Sequence, residues 1–296
     1  MNTDLHPAVM GWYATHARDL PWRSPDASAW SVLVSEIMLQ QTPVVRVEPA
    51  WRAWLQRWPT PADLAAATPA QVLRAWDRLG YPRRALRLRE AAIAITERHG
   101  GQVPSDEEDL LALPGIGSYT AAAVAAFAFR RRSVVLDTNV RRVLGRLVHG
   151  TALPPPSPRR AETATALDLL PADPETSARW NVAVMELGAL VCTARAPRCA
   201  DCPVAAQCRW RAAGYPPDEH AARRRTQAWH GTDRQARGRV LAALRTEDEL
   251  RPDQVRDLWP DGDQLARVLT GLLTDQLLTA VRDLDGVVTG YRLPDS

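Results

Sequence analysis

The sequence predicts a mainly α-helical protein of about two domains, ending in a small module of three short helices and a β-hairpin. Three observations carry that expectation. Apolar residues recur at helical spacing between glycine and proline stops along most of the 296 residues. An alanine-rich run, Ser118 to Phe129, is apolar on nearly all faces, as a helix buried inside a bundle must be. The stretch from Leu278 to Leu293 turns at Asp285-Gly286, a hairpin dipeptide.

From the N-terminus, Met1 to Gly11 holds Asp4 and no basic cluster, so it does not read as an export signal. Ala29 to Gln41 sets Trp30, Leu33, Val34, Ile37 and Gln41 at helical spacing. Trp51, Trp54 and Trp58 share that spacing, which assigns most tryptophans to the core rather than to base stacking. Pro61 to Leu64 opens a helix, and Pro69 to Leu79 reads as another, ended near Gly80. Arg83 to Gly100 is amphipathic, with Gly100-Gly101 as its stop. Ser105 is expected to cap a short acidic helix through Leu113. A strand-like run then leads from the alanine helix to Asp137, and Val140, Val143, Leu144 and Leu147 form the apolar stripe of a helix to Val148. Pro154-Pro155-Pro156 and Pro158 mark a surface loop, followed by helices to Cys192. Residues 216–232, with Pro216, Pro217, Arg223-Arg224-Arg225 and Gly231, read as a linker. Arg237 to Arg245, Pro252 to Trp259 and Gln264 to Leu278 precede the hairpin, an order that suggests a winged helix.

No apolar stretch reaches the roughly 18 residues of a membrane span. Reduced cysteines and the lack of an export signal make the cytoplasm the expected compartment, and no membrane partner is expected. The formal net charge is +3, but it is unevenly spread: residues 233–296 hold nine arginines against twelve acids, so the basic excess belongs to the preceding part. That is the distribution a polyanion binder needs. All 37 basic residues are arginine. Without lysine, a Schiff-base mechanism through a lysine amine is excluded.

The four cysteines, Cys192, Cys199, Cys202 and Cys208, fall within seventeen residues as C-x6-C-x2-C-x5-C. Such a loop reads as a cluster-binding site rather than a disulfide framework. Four thiolates hold either zinc or an iron–sulfur cluster, and the uneven spans disfavour paired zinc knuckles. Leu113-Pro114-Gly115-Ile116-Gly117 between two helices forms the core of a helix–hairpin–helix, where Gly115 and Gly117 let backbone approach a phosphate. Glu36 lies on a helix with Leu33 and Leu39 one turn away, where desolvation should raise its pKa. Asp137 is well placed as the N-cap of the following helix, a role compatible with chemistry through its second oxygen.

S-E-I-M-L-Q-Q-T at Ser35 to Thr42, L-G-Y at Leu79 to Tyr81, L-P-G-I-G-S-Y-T-A at Leu113 to Ala121, L-D-T-N-V at Leu136 to Val140 and the cysteine loop occur in order over residues 1–210. Together they resemble the MutY-like, A/G-specific adenine DNA glycosylases of the helix–hairpin–helix, endonuclease III-like iron–sulfur superfamily. The resemblance implies a six-helix bundle at about 27–132 carrying the helix–hairpin–helix. It implies a cluster subdomain from 1–26 and 133–215, with one [4Fe–4S] cluster on the loop 192–208. Residues 1–215 would then be the catalytic domain, 216–232 the linker and 233–296 the winged-helix-like module. It further implies a catalytic acid at Glu36, a catalytic aspartate at Asp137, Tyr119 near the sugar and Asn139 supporting the acid. The activity implied is monofunctional base-excision repair, hydrolysing the N-glycosidic bond of adenine mispaired with 8-oxoguanine or G. The relatives that carry a Schiff-base lysine hold it where this chain has Tyr119.

Gln41 and Tyr81 would wedge into the base stack, with Thr42 and Leu79 approaching the opposing base; core packing serves Leu79 equally well. Trp22 and Arg23 resemble adenine-pocket residues. Arg195 and Arg198, with Arg209 and Arg211 after the last cysteine, are candidate phosphate contacts, as is Arg223-Arg224-Arg225. Two departures stand out: Val182 occupies a place where Glu or Gln contacts adenine, and the tail is too short for the usual Nudix-like domain. The tail's candidate recognition helix, Gln264 to Leu278, has Arg267 alone, so little DNA contact is expected from it. A repair or replication protein is then a candidate partner of the module. A monomer acting on duplex DNA in the nucleoid is expected. The alternatives are a pyrimidine-mismatch or oxidised-base glycosylase of the same superfamily, and a non-enzymatic iron–sulfur regulator binding DNA through the winged helix.

Overall fold

Capping side chains and glycines set where the helices begin and stop. The computed structural model describes residues 5–223 and 229–295. Its helices are α1 (Leu5–His16), α2 (Ala29–Leu39), α3 (Val44–Arg57), α4 (Pro61–Ala65), α5 (Pro69–Trp76), α6 (Arg83–Arg98), α7 (Glu107–Leu111) and α8 (Ser118–Phe129). They continue as α9 (Thr138–Leu144), α10 (Arg160–Asp168), α11 (Pro174–Leu190) and α12 (Arg209–Ala212). The tail adds α13 (Asp233–Thr246), α14 (Pro252–Asp257), α15 (Gly262–Thr274) and the strands β1 (Thr279–Arg282) and β2 (Val288–Arg292). Among the described residues no helix is long and apolar enough to cross a membrane.

Most boundaries follow local chemistry. Thr60 and Asp63, and Thr68 and Gln71, form reciprocal capping boxes that start α4 and α5 behind an N-terminal proline. The alanine helix runs Ser118–Phe129 as expected, all but its ends buried. Several expectations are corrected. The helix α2 stops at Leu39, because Gln41 turns to φ +57°. The helix α5 stops at Trp76, and a 3₁₀ turn, Asp77–Leu79, follows with Asp77 at φ +42°. Asp106, not Ser105, accepts the first-turn amide of α7 from Glu108 (2.9 Å). Residues 130–137 form no strand: they find no ladder partner among the described residues. The stripe after Asp137 breaks into α9 and a π turn, Gly145–His149. Helix α1 was not foreseen, since Pro7 and Gly11 read as breakers, yet Leu5, Val9 and Trp12 bury one face.

Two compact units result. The first holds Met1–Leu33, Ser105–Leu111 and Gly117–Arg225. Its core joins α1, α9 and α11 through Val9, Val143, Leu144, Trp180 and Leu187, with Cys192, Cys202 and Cys208 packed against it. The second holds Val34–Pro104, Ala112–Ile116 and Thr226–Ser296. Inside it, Trp54 meets Trp58 and Trp76 edge to face at 4.6 and 5.5 Å between ring centres. The tail contributes three helices and an antiparallel hairpin pairing Thr279 with Arg292 and Ala280 with Tyr291. Asp283 Oδ1 accepts the amides of Asp285 and Val287 and fixes the turn, with Gly286 at φ +80°. The tail's core, Val240, Leu241, Leu244, Val268 and Leu272, is continuous with Ala70 and Leu73 of α5. Arg224 and Arg225 of the expected linker lie outside the described residues.

Candidate active site and cysteine loop

In the second unit, Glu36 sits on α2 and is 5% exposed, among Val34, Ile37 and Met38. Beyond the end of α2 the backbone is strained. Gln41 (φ +57°) and Tyr81 (φ +47°), two residues that are not glycine, both take the left-handed conformation. Such strain persists only where the surroundings over-determine it. Here Arg84 does so. Its Nη1 donates to the carbonyls of Ile37 (2.8 Å) and Gln40 (2.5 Å), and its Nη2 to Thr42 Oγ1 (3.1 Å) and Gly80 O (3.1 Å). The same guanidinium lies 5.3 Å from the Trp76 ring centre and 5.6 Å from that of Tyr81. Burial lowers its pKa to about 10, so it stays cationic at neutral pH. Thr42 is buried and donates to Leu79 O (3.1 Å), while Leu79 is itself buried. Gln41 and Tyr81 stand exposed beside them. The structure thus brings Gln41, Thr42, Leu79 and Tyr81 together.

The helix–hairpin–helix turn is legible glycine by glycine. Gly115 has φ +74°, and a Cβ there would fall 2.6 Å from Arg87 Cβ. Gly117, by contrast, N-caps α8 with no side-chain cap and open space where a Cβ would stand. Gly117 thus leaves its backbone open to an approach from outside.

In the first unit, Asp137 N-caps α9. Its Oδ1 accepts from Val140 N–H (2.6 Å) and its Oδ2 from Asn139 Nδ2 (2.7 Å). Burial pushes the Asp137 carboxyl above its usual range, and these two donors together with Arg142 pull against that. Asn139 Oδ1 in turn accepts from Arg142 Nη2 (2.7 Å), which also reaches Gly188 O (2.7 Å), and Arg142 Nε donates to Cys192 O (2.6 Å). One chain of hydrogen bonds therefore runs from the carboxylate to the first cysteine. Helix α11 can come this close only because residue 188 is glycine, whose Cβ would lie 2.7 Å from Asn139 Cβ. Tyr119 packs against the small core of Ala122, Ala123, Ala126 and Val135.

Glu186 is fully buried on α11 and joins two arginines. It accepts from Arg18 Nε (2.8 Å) and Arg18 N–H (2.9 Å) on Oε1, and from Arg18 Nη2 (2.8 Å) and Arg23 Nη2 (2.9 Å) on Oε2. Burial alone would raise its pKa, but the donors outweigh that and hold it at about 2. Arg23 is fixed by this pair, with Trp22 buried beside it in the chain, and Val182 lies one turn before Glu186.

The four cysteines line one cavity, shared with Arg146 and Trp210. Arg146, 2% exposed, donates from Nη1 to Cys192 Sγ (3.3 Å) and to Thr193 O (2.8 Å), from Nε to Ala152 O (2.8 Å), and lies 4.3 Å from the Trp210 ring centre. Burial raises the Cys192 thiol, which Arg146 opposes, and pushes Cys202 up to about 11. A bound metal would favour the thiolate form against this burial. Four sulfurs on one walled cavity, with a cation against one of them, fit a group with four thiolate ligands. Of the loop arginines, Arg198 is partly committed to Leu190 O (2.8 Å) and Asp201, whereas Arg195 stands exposed. Arg84, Arg142, Arg146 and Glu186 were not singled out in the sequence; a charged side chain reads as solvated until the carbonyls it meets are in place.

Residues 34–167 match the HhH-GPD superfamily of base excision DNA repair proteins. An adenine DNA glycosylase of Mycolicibacterium smegmatis is 52% identical over 93% of this chain and 92% of its own length. One from Mycobacterium tuberculosis is 52% identical over 94% and 90%. Matches of that extent take in the C-terminal module as well. Among solved structures, a thermostable thymine-DNA glycosylase superposes with a TM-score of 0.63 at 26% identity, over 70% of this chain and 94% of that one. The strained Gln41 and Tyr81, the helix–hairpin–helix glycines and the capped aspartate thus belong to a chain that is a member of the HhH-GPD superfamily of base excision DNA repair enzymes, within its adenine DNA glycosylase family.

Proposed function

We propose that this glycosylase removes adenine mispaired with 8-oxoguanine or G in duplex DNA, by hydrolysis alone. The observation that carries the reading is Asp137, a carboxylate fed by two donors and tied through Asn139 and Arg142 to the protein interior. Adenine is first flipped out of the stack, with Gln41 and Tyr81 filling the space it leaves. Glu36 protonates N7, and the C1′–N9 bond breaks with its electron pair leaving on adenine. Asp137 meets the oxocarbenium charge or traps it covalently, Tyr119 lies at the sugar, and Asn139 holds the aspartate in place. A water, deprotonated by Glu36, adds to C1′, displacing the Asp137 carboxylate where it has bonded there, and completes the hydrolysis. With tyrosine at 119 and no lysine in the chain, the strand stays intact.

Thr42 and Leu79 would face the opposing base, and Arg23 and Trp22 the adenine. Gly115, Gly117, Arg195 and Arg198 would hold backbone phosphates. The 1–215 catalytic region would hold one [4Fe–4S] cluster through Cys192, Cys199, Cys202 and Cys208. Among the described residues no three His, Cys, Asp or Glu side chains converge as ligands of a single ion would, and a cavity ringed by four thiols suits a multi-iron group. Bound, the cluster would supply a rigid cross-link of the loop.

A duplex with one A opposite 8-oxoguanine, incubated under single-turnover conditions and then treated with alkali, tests the assignment. Cleavage at that adenine is expected, falling at least about a hundredfold in Glu36→Gln and in Asp137→Asn. Cleavage without alkali, or undiminished cleavage by the double variant, defeats it. Absorbance near roughly 400 nm in the isolated protein reports the cluster.

A further inference from the structure

Trp229 and Tyr81 are 47% and 44% exposed, unusually open for large rings. The Arg234 guanidinium, at the start of α13, lies 5.3 Å from the Tyr81 ring centre and 5.2 Å from that of Trp229. All three residues belong to the second unit. Arg234 makes no ion pair among the described residues, whereas several arginines near it do. Arg237 and Arg83 both reach Asp275, Arg267 reaches Asp233, Arg251 reaches Asp253, and Arg74 reaches Asp248. What sets Arg234 apart from these paired arginines is its place between two exposed rings.

We propose that Trp229 of the linker and Arg234 of the tail extend Tyr81 into a DNA platform, gripping the strand opposite the flipped adenine. The chemistry suits a nucleic-acid strand. Exposed rings offer faces on which bases stack, and a guanidinium held over them offers its fork of donors to a phosphate. The usual recognition helix of a winged-helix module does not compete for this role. Arg267 on α15 is engaged by Asp233, and Gln264 is engaged by the same Asp233 and by Trp259. The choice of strand rests on the proposed function: Tyr81 wedges into the stack while Leu79, two residues before it, faces the base opposite adenine, so Trp229 and Arg234 would continue from the wedge onto that strand.

The test measures affinity of the full-length protein for a duplex whose adenine carries a 2′-fluoro group that blocks hydrolysis, across a salt series, with 8-oxoguanine or thymine opposite. Arg234→Ala is expected to weaken both duplexes and to reduce the salt slope by about one charge, as expected for one lost phosphate contact. Trp229→Ala is expected to weaken binding roughly tenfold, the scale of one stacked base, with the slope unchanged. A neutral methylphosphonate in the strand opposite adenine should weaken wild type and leave Arg234→Ala unaffected; in the adenine strand it should weaken both equally. Arg256→Ala, an exposed arginine of the same tail, is the control and should match wild type. Wild-type affinity and slope in Arg234→Ala, an equal loss in Arg256→Ala, or the methylphosphonate effect on the adenine strand instead, overturns the proposal. If wild type fails to release adenine while Arg234→Ala still flattens the slope on the thymine duplex, the base assignment falls and the platform stands.

Discussion

Asp137 shows how one side chain serves two ends. Capping α9 requires an oxygen that accepts from Val140 N–H, and the proposed chemistry requires the same group to be charged. Burial works against the charge, so the folded-state pKa is raised. A group with a raised folded pKa favours the native state most below its unfolded value, near ~3.9 for Asp, and loses that contribution as pH rises through the folded value. Asp137→Asn keeps a good cap and removes the titration. The Tm difference between this variant and wild type should therefore shift in the variant's favour from about pH 4 upward and then level off. A pH-independent difference across that range would contradict the raised pKa. The single-turnover rate of wild type should likewise decline on the acid side earlier than an ordinary aspartate would dictate. Glu186 has the opposite sign: held at about 2, it stabilises the fold at neutral pH and loses that effect only as pH falls from the ordinary Glu range toward that value. The cap at Asp137 was legible from its position alone. Of the partners that shape its charge, Asn139 was expected from the resemblance, but Arg142 was not, because it acquires its role only through carbonyls of α11 and the cysteine loop.

Among elements, the packing of α9 against α11 shows most clearly what sequence could and could not convey. Both helices were expected, and the apolar stripe of α9 was read correctly as far as Leu144. Gly188 carried no turn or stop signal and so had no evident purpose in the sequence. Its place in the structure supplies one: Asn139 Cβ and the Asn139 carbonyl occupy the room a side chain would need. Gly188→Ala should cost about 1–3 kcal/mol through overpacking. It should also slow adenine release beyond what the lower stability explains, because the residue displaced is the one bonded to Asp137. Thermal melting and single-turnover rates below the melting range separate the two effects, and an unchanged rate would show that Asn139 does not need its present position. Helix ends obey the same lesson. Residues with local determinants, such as the capping boxes at Thr60 and Thr68, were placed to within a residue or two. The stops of α2 and α5 were not, since left-handed Gln41 and Asp77 break no rule of composition and are imposed from outside the helix.

For the whole molecule, the charge asymmetry of the sequence acquires a physical meaning. The acidic tail forms one core with α5, through Ala70 and Leu73 against Val240, Leu241 and Leu272. Leu73 is fully buried, so Leu73→Ala should cost about 2–5 kcal/mol. Hydrogen exchange should then lose protection in residues 69–76 and 262–274 together; unchanged protection of 262–274 would mean the tail folds by itself. Hairpin and helix order in the tail were readable from local signals, whereas the surface it rests on was not, because no local pattern encodes a contact across more than 150 residues of chain. The strained pair, Gln41 and Tyr81, has a last consequence at this scale. Their backbone is held bent by the protein's own contacts, clamped by the six acceptors that surround one guanidinium. A loop that had to find this shape at every step would spend its residence time searching its own conformations. Under the proposed function, a preset one would leave sliding and base-pair opening, rather than the protein's own rearrangement, to set the pace of the search.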